Sequence, residues 1–217
     1  MALPIAKEPT CLPPFPTACG PSGCSNASLQ QADPLRCFFA LAVGAAARSE
    51  LSRAIRELRA ESWGDQVRWV REESLHITLR FLGEVAEVRI DDLVERVRGF
   101  VGTCAPFACR LSTVRPFPSA ARARVIAASV DPESPVSELH DLVERGVVDA
   151  GLEAESRRFR AHITLGRVRK PPLRNPTIRA ILPPTQIDAD RVILYRSKLN
   201  PEGAQHTPVA DIALLDP

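Results

Sequence analysis

Two identical tetrapeptides carry the side chains of this sequence best suited to acid–base chemistry: His76-Ile77-Thr78-Leu79 and His162-Ile163-Thr164-Leu165, 86 positions apart. Each lies in a run rich in β-branched and apolar residues, the composition of a strand, and strand side chains alternate between faces. His76 and Thr78 therefore share one face, with Ile77 and Leu79 on the other, and the second copy repeats the parity. A strand that buries its Ile and Leu presents an imidazole and a hydroxyl together on its opposite face. If the two strands meet across a groove, two imidazoles and two hydroxyls converge. Imidazole titrates near pH 6.5, so one ring can donate a proton while the other accepts one. Cleavage of a phosphodiester needs that division, and threonine hydroxyls can donate to phosphoryl oxygens without a metal. A single His-x-Thr on a strand is ordinarily a half-buried pair. Two copies of equal parity, holding two of only four histidines, point to function.

Three arginines flank the motifs. Arg80 has the parity of His76 and Thr78, and Arg160 that of His162 and Thr164, so both are candidates to reach an anion in the groove. Arg167 has the opposite parity and needs a bulge or a strand end to do so. With Arg157, Arg158 and Arg169, Arg160 and Arg167 form a basic cluster able to follow a nucleic-acid backbone. Of the remaining histidines, His140 reads as a solvated residue on a helix beside Glu138 and Asp141, and His206 falls in a terminal hairpin with no assigned role.

The elements that must position these residues follow from periodicity. The chain has 217 residues, 45% of them hydrophobic, and a net charge of +2, which suits one core-forming domain with no global field for a polyanion. Residues 1–34, rich in Pro and without periodicity, read as a disordered tail, leaving 35–217 as the domain. Arg36–Val43 reads as a buried strand and Ala45–Ser62 as an amphipathic helix. Val67–Val70 leads into the first His-Ile-Thr-Leu strand, ended by Gly83, and a second helix runs over Glu87–Val101. Strands follow at Phe107–Arg115 and Arg122–Val130, joined by a turn at Pro116–Ser119. A third helix, capped by Ser134 with Pro135 in its first turn, closes at Gly151. The second His-Ile-Thr-Leu strand covers Phe159–Val168. A short helical connection around Ile178 leads to a hairpin of Arg191–Leu199 and Thr207–Leu215, its loop at Asn200–Gly203. The fold class expected is α+β: bilobal, two antiparallel-rich sheets with outer helices.

Six cysteines, at 11, 19, 24, 37, 104 and 109, include no CxxC pair, so zinc-site spacing is absent. No signal-peptide pattern precedes them, and a reduced, cytoplasmic chain is expected. No apolar run approaches the roughly 20 residues that span a bilayer, so no membrane partner is expected. A metal held by His76 and His162 lacks acidic or Cys ligands in either motif, and no metal or cofactor is expected.

The paired motifs, written LHITLRFLGE and FRAHITLGRV, resemble those of the two-histidine phosphoesterases, specifically the RNA 2′,3′-cyclic phosphodiesterases also called 2′-5′ RNA ligases. RCFFALAV resembles that family's opening strand and LYRSKLNPEGAQHTPV its closing hairpin, so the likeness spans about residues 35–215. The sequence departs from the family pattern at Ala161, often Pro, and at His206, often aromatic. The resemblance implies pseudo-twofold symmetry around a central groove and metal-free hydrolysis of a terminal 2′,3′-cyclic phosphate to a 2′-phosphomonoester. By position His76 is then the proton donor and His162 the proton acceptor, with Thr78 and Thr164 binding the phosphate. The implied partner is an RNA bearing a 2′,3′-cyclic phosphate end, tRNA fragments among the candidates, acted on by a monomer. The same quartet run in reverse joins a 2′-phosphate end to another RNA. Other readings stay open: turnover of another small cyclic phosphate, or a non-catalytic module that binds RNA ends.

Overall fold

The computed structural model describes residues 34–170, 172–200 and 203–215, all within one compact unit, Ala32–Pro217. The tail expected over 1–34 lies outside the described residues except for Pro34, as does the tip of the terminal hairpin. In chain order the elements are β1 (Leu35–Ala42), α1 (Ala45–Arg59), β2 (Val67–Trp69), β3 (His76–Val85), α2 (Ile90–Val101), β4 (Phe107–Phe117), β5 (Val125–Asp131), α3 (Ser134–Asp149), β6 (His162–Val168), β7 (Gln186–Ala189), β8 (Arg191–Asn200) and β9 (Gly203–Ala213).

The strands run β7-β4-β5-β6-β3-β1-β8-β9, with β2 added to β6, and each pairing is antiparallel. The order reads outward from its centre as two four-strand halves, each led by a His-Ile-Thr-Leu strand. This is the expected α+β arrangement, except that the two sheets expected are the halves of one nine-stranded sheet, because β3 and β6 pair at Ile77↔Ile163. Both isoleucines are fully buried, so the sheet's seam is sealed on its core side by the residues between each His and Thr.

The helices cover that core side. α1 buries Ala47, Leu51, Ala54, Ile55 and Leu58, α2 buries Leu93, Val94, Val97 and Val101, and α3 buries Val136, Leu139, Val143 and Val147, each set at helical spacing. α2 and α3 pack closely because Gly146 has no side chain: a Cβ there would lie 2.6 Å from Val97 Cα. Asp91 and Asp92 in the first turn of α2 and Arg98 in its last complement the helix dipole.

Several boundaries differ from expectation. Gly83, at φ 71°, does not end β3; it sits by a register shift at which Leu82 has no partner on β1, and pairing continues to Val85. Ser134 is inside α3, whose cap position is Glu133. No helix forms around Ile178, where Pro172, Pro176, Pro183 and Pro184 withhold backbone donors and restrict their neighbours. Strand β7, with only Ile187 and Ala189 buried, is too short to show its alternation in the sequence. The closing hairpin is longer than expected, β9 beginning at Gly203.

Candidate active site

The seam sets the geometry of the quartet. Extending the antiparallel register from Ile77↔Ile163 by one residue each way sets His76 opposite Thr164 and Thr78 opposite His162. All four side chains are on the face away from the helices, each partly exposed between buried neighbours. Proximity also shows in charge: His162 and Arg167 both act electrostatically on His76.

The two rings are anchored alike. His76 Nδ1 lies 2.8 Å from the Ser74 carbonyl oxygen and His162 Nδ1 lies 2.8 Å from that of Arg160. A carbonyl only accepts, so each Nδ1 carries the proton and donates, and each Nε2 is left for chemistry. In the first copy Nε2 accepts from the Thr78 hydroxyl at 2.9 Å. The matching bond is absent from the second copy among the described residues.

Their surroundings differ. His76 is enclosed by Phe38, Tyr195 and His206, with ring centroids 4.8, 6.2 and 5.3 Å away. Burial of its charged form pushes its pKa down to about 4, against an opposing push from the Ser74 carbonyl and with further lowering from His206, Arg167 and His162. His162 stacks on Phe117 at 5.3 Å, nearly parallel, and Arg160 lies over the same ring. His206, unassigned from sequence, stands edge-on to both His76 and Phe38. Its Nδ1 is buried without a hydrogen-bond partner among the described residues, and burial lowers its pKa. His140 is buried, not solvated as expected: its ring stacks on Phe159 at 4.1 Å and its Nδ1 bonds Asp141.

Strand irregularities decide which arginines face the groove. Thr78 pairs with Ala40 and Arg80 with the next residue, Phe39, so Leu79 is an extra residue that breaks the alternation. The same happens in β6, where Thr164 pairs with Ala127 and Gly166 with Ile126, leaving Leu165 extra. Arg80 is thereby turned from the groove into the core side, which corrects its expected role. It is 9% exposed, pairs with Glu144 of α3, and donates to the carbonyls of Phe81 and Glu153. Phe81 takes the groove face in its place. In β6 the same slip brings Arg167 onto the groove face, by a bulge and not by a strand end. Gly166, which corresponds to Arg80, must lack a side chain, because a Cβ would lie 2.4 Å from Val67 and 2.9 Å from Trp69 of β2. Arg160 is exposed and reaches Phe117, outside the cavity lining.

Since Arg80 is a core residue, Arg80→Ala leaves the partly buried Glu144 carboxylate without its cation, at a cost of about 3 kcal/mol. Denaturant unfolding shows the loss, while turnover per folded molecule stays near wild type. A fall in turnover at unchanged stability contradicts this assignment.

A cavity of about 500 Å³ opens beside the seam, lined by both His76 and Thr164. Thr78 and His162 stand one register position along the same face, outside its lining. One wall is aromatic, with Phe38, Phe81 and His206; the opposite wall holds Arg68, Trp69 and Arg167. Among the described residues, five arginines and no carboxylate line it. Arg71 is paired with Glu73, and Arg157 with Glu155, whose carboxyl it holds down to about 2. Among the described residues Arg36, Arg68 and Arg167 form no ion pair, so the cavity offers uncompensated positive charge to an anion. No group of three or more His, Cys, Asp or Glu side chains that could hold a metal ion occurs among the described residues, nor does a helix long and apolar enough to cross a membrane. Cys37, Cys104 and Cys109 are free thiols. The sequence reading missed Phe38, Arg68, Phe117 and His206. Phe38 lies in an unbroken apolar run and Phe117 in what reads as a turn, so neither carried a signal.

Comparison with known proteins gives the family and the fold. Residues 47–201 match the family model of the 2′-5′ RNA ligase superfamily. An RNA 2′,3′-cyclic phosphodiesterase of Thermotoga maritima is 31% identical over 175 residues, covering 78% of this chain and 90% of that protein. One from Archaeoglobus fulgidus is 32% identical over 148 residues, 68% of this chain and 79% of its own length. Among solved structures, TT0787 of Thermus thermophilus superposes with a TM-score of 0.71 at 27% identity, over 83% of this chain and 98% of that one. Apo LigT of E. coli, at 24% identity and a TM-score of 0.65 over 85% and 100% of the two chains, shares the fold.

Proposed function

This chain belongs to the 2′-5′ RNA ligase superfamily, and from that premise we propose that it is a phosphoric diester hydrolase that opens RNA 2′,3′-cyclic phosphate ends to 2′-phosphomonoesters. The observation that carries the reading is the twofold repetition of one device at the sheet's seam: a His held through Nδ1–H by the carbonyl two residues before it, its Nε2 left for proton transfer, and a Thr beside it. The relatives named RNA 2′,3′-cyclic phosphodiesterase and the unpaired arginines of the cavity support an anionic RNA end as substrate.

In the proposed reaction His162 Nε2 takes a proton from water as its oxygen attacks phosphorus. The bond from phosphorus to the 3′ oxygen breaks, and His76 Nε2–H protonates the departing oxygen. The products are a 2′-phosphate and a free 3′ hydroxyl. Thr78 and Thr164 donate to the non-bridging oxygens as negative charge develops there. His76 rests neutral, with Nε2 accepting from Thr78. A phosphodiester anion beside the ring favours the imidazolium, which has no lone pair for Thr78; the hydroxyl is then free to turn to the phosphate. Substrate charge thus arms the acid. With the 5′ hydroxyl of a second RNA in place of water, the same groups carry the same displacement: the new bond from that oxygen to phosphorus forms as the bond to the 3′ oxygen breaks, and the product is a 2′-5′ linkage. We assign the activity to residues 35–217 acting as a cytoplasmic monomer, with ends such as those of tRNA fragments as substrates.

The decisive experiment is product analysis on an RNA oligonucleotide ending in a 2′,3′-cyclic phosphate: a 2′-phosphate is expected, whereas a 3′-phosphate or an untouched substrate with folded protein refutes the reading. The pH dependence is a second test. kcat/KM reports the free enzyme, where the pKa of His76 lies below that of free imidazole, so the acidic limb is displaced to lower pH. kcat/KM should hold as pH falls through 6.5 and drop only near pH 4, the limb belonging to the coupled pair. An acidic limb centred at 6.5 shows that His76 is not sequestered as described.

A further inference from the structure

Strand β2 is the one strand off the main path of the sheet, and its pairing with β6 sets Arg68 directly opposite Arg167. Residues so paired have Cβ atoms about 5 Å apart, and like charges at that position are destabilising. Both side chains line the cavity, and among the described residues neither forms an ion pair or side-chain hydrogen bond and no carboxylate joins the lining. The arrangement is held in place by packing: Gly166 gives Val67 and Trp69 the room to lie against β6, and Trp69 Nε1 donates to the Gly64 carbonyl at 3.0 Å. Two guanidinium forks carried on directly paired strand positions, with no acid between them, are suited to an anion that both can chelate.

That anion is distinct from the phosphate at the quartet. Arg167 follows Thr164 by three residues on the same strand, about 10 Å along at the strand's rise, and Arg68 lies across from it on β2, which continues along the edge of β6 that β3 meets at Ile163, opposite the edge held by β5. We infer that Arg68 and Arg167 clamp a second phosphate, the one on the 5′ side of the terminal nucleotide, so that the site is built for an oligonucleotide end over a mononucleotide. This deepens the reading above and rests on it: the cyclic phosphate occupies the quartet while the chain's next phosphate occupies the clamp.

The test compares three substrates: a mononucleoside 2′,3′-cyclic phosphate, a dinucleotide with the same cyclic end, and that dinucleotide with an uncharged methylphosphonate linkage. For the wild-type protein the dinucleotide should exceed the mononucleotide in kcat/KM by about tenfold or more, a gain typical of charge-assisted hydrogen bonds, and the methylphosphonate should lose most of that gain. In Arg68→Gln the ratio of dinucleotide to mononucleotide should fall toward one, the salt dependence of the dinucleotide reaction should weaken by about one phosphate contact, and Arg68→Lys should recover part of the ratio. The melting temperature of unliganded Arg68→Gln should rise, because a cross-strand repulsion is relieved. Equal kcat/KM for mono- and dinucleotide, an advantage kept by the methylphosphonate, or a lower melting temperature with an unchanged ratio each overturns the clamp and leaves the hydrolysis standing. Failure of every cyclic substrate overturns the hydrolysis itself.

Discussion

Turnover of a 2′,3′-cyclic phosphate end falls by about 10²-fold or more when either His162 or His76 is replaced by alanine, the range expected for loss of one general acid or base. The double variant falls far short of the product of the two losses, because an acid without its base has little left to contribute. The two single variants differ in what else they do. His162 is partly exposed and rests on Phe117, so alanine there removes chemistry at little cost to folding. His76 is packed among Phe38, Tyr195 and His206, and alanine there also opens a void in an aromatic wall, costing stability. His76→Asn fills more of that space without an ionisable ring and separates the two effects. Substrate binding should survive in all of them, weakening with added salt as phosphate contacts do. Near-normal turnover in folded His162→Ala or His76→Asn would falsify the paired-imidazole mechanism.

Loss of either threonine hydroxyl also lowers turnover, on the order of 10²-fold for one donor to a developing oxyanion, and Thr→Ser restores most of it. The structure separates the two copies. Thr78 donates to His76 Nε2 in the free protein, which stabilises the neutral ring; Thr164 makes no such bond to His162. Thr78→Ala therefore raises the pKa of His76 from about 4, and the acidic limb of kcat/KM moves to higher pH. Thr164→Ala lowers the rate without moving that limb. Identical pH profiles for the two alanine variants, or losses in Thr→Ser equal to those in Thr→Ala, show instead that the methyl groups act through packing.

The sequence by itself determined the chemistry-bearing quartet. A His-Ile-Thr-Leu strand that buries Ile and Leu has no other face for His and Thr, and that parity holds over the four residues whatever the strand pairs with. Helices α1, α2 and α3 were legible for the same reason, since each carries its own apolar stripe at helical spacing. Beyond the motif the parity failed in both strands. Leu79 and Leu165 are extra residues only relative to β1 and β5, so no local pattern announces them, yet they send Arg80 into the core and bring Phe81 and Arg167 to the groove. The environment of His76 is equally non-local: Phe38, Tyr195 and His206 come from β1, β8 and β9 and enclose the ring, whose burial is the largest cause of its lowered pKa, while His162 stays open. Arg68 faces Arg167 because β2 folds back onto β6 across nearly a hundred residues of chain. Alternation and amphipathicity are properties of consecutive residues and can be read along the chain; register, desolvation and the meeting of like charges are properties of pairs distant in sequence, and exist only once the sheet has closed.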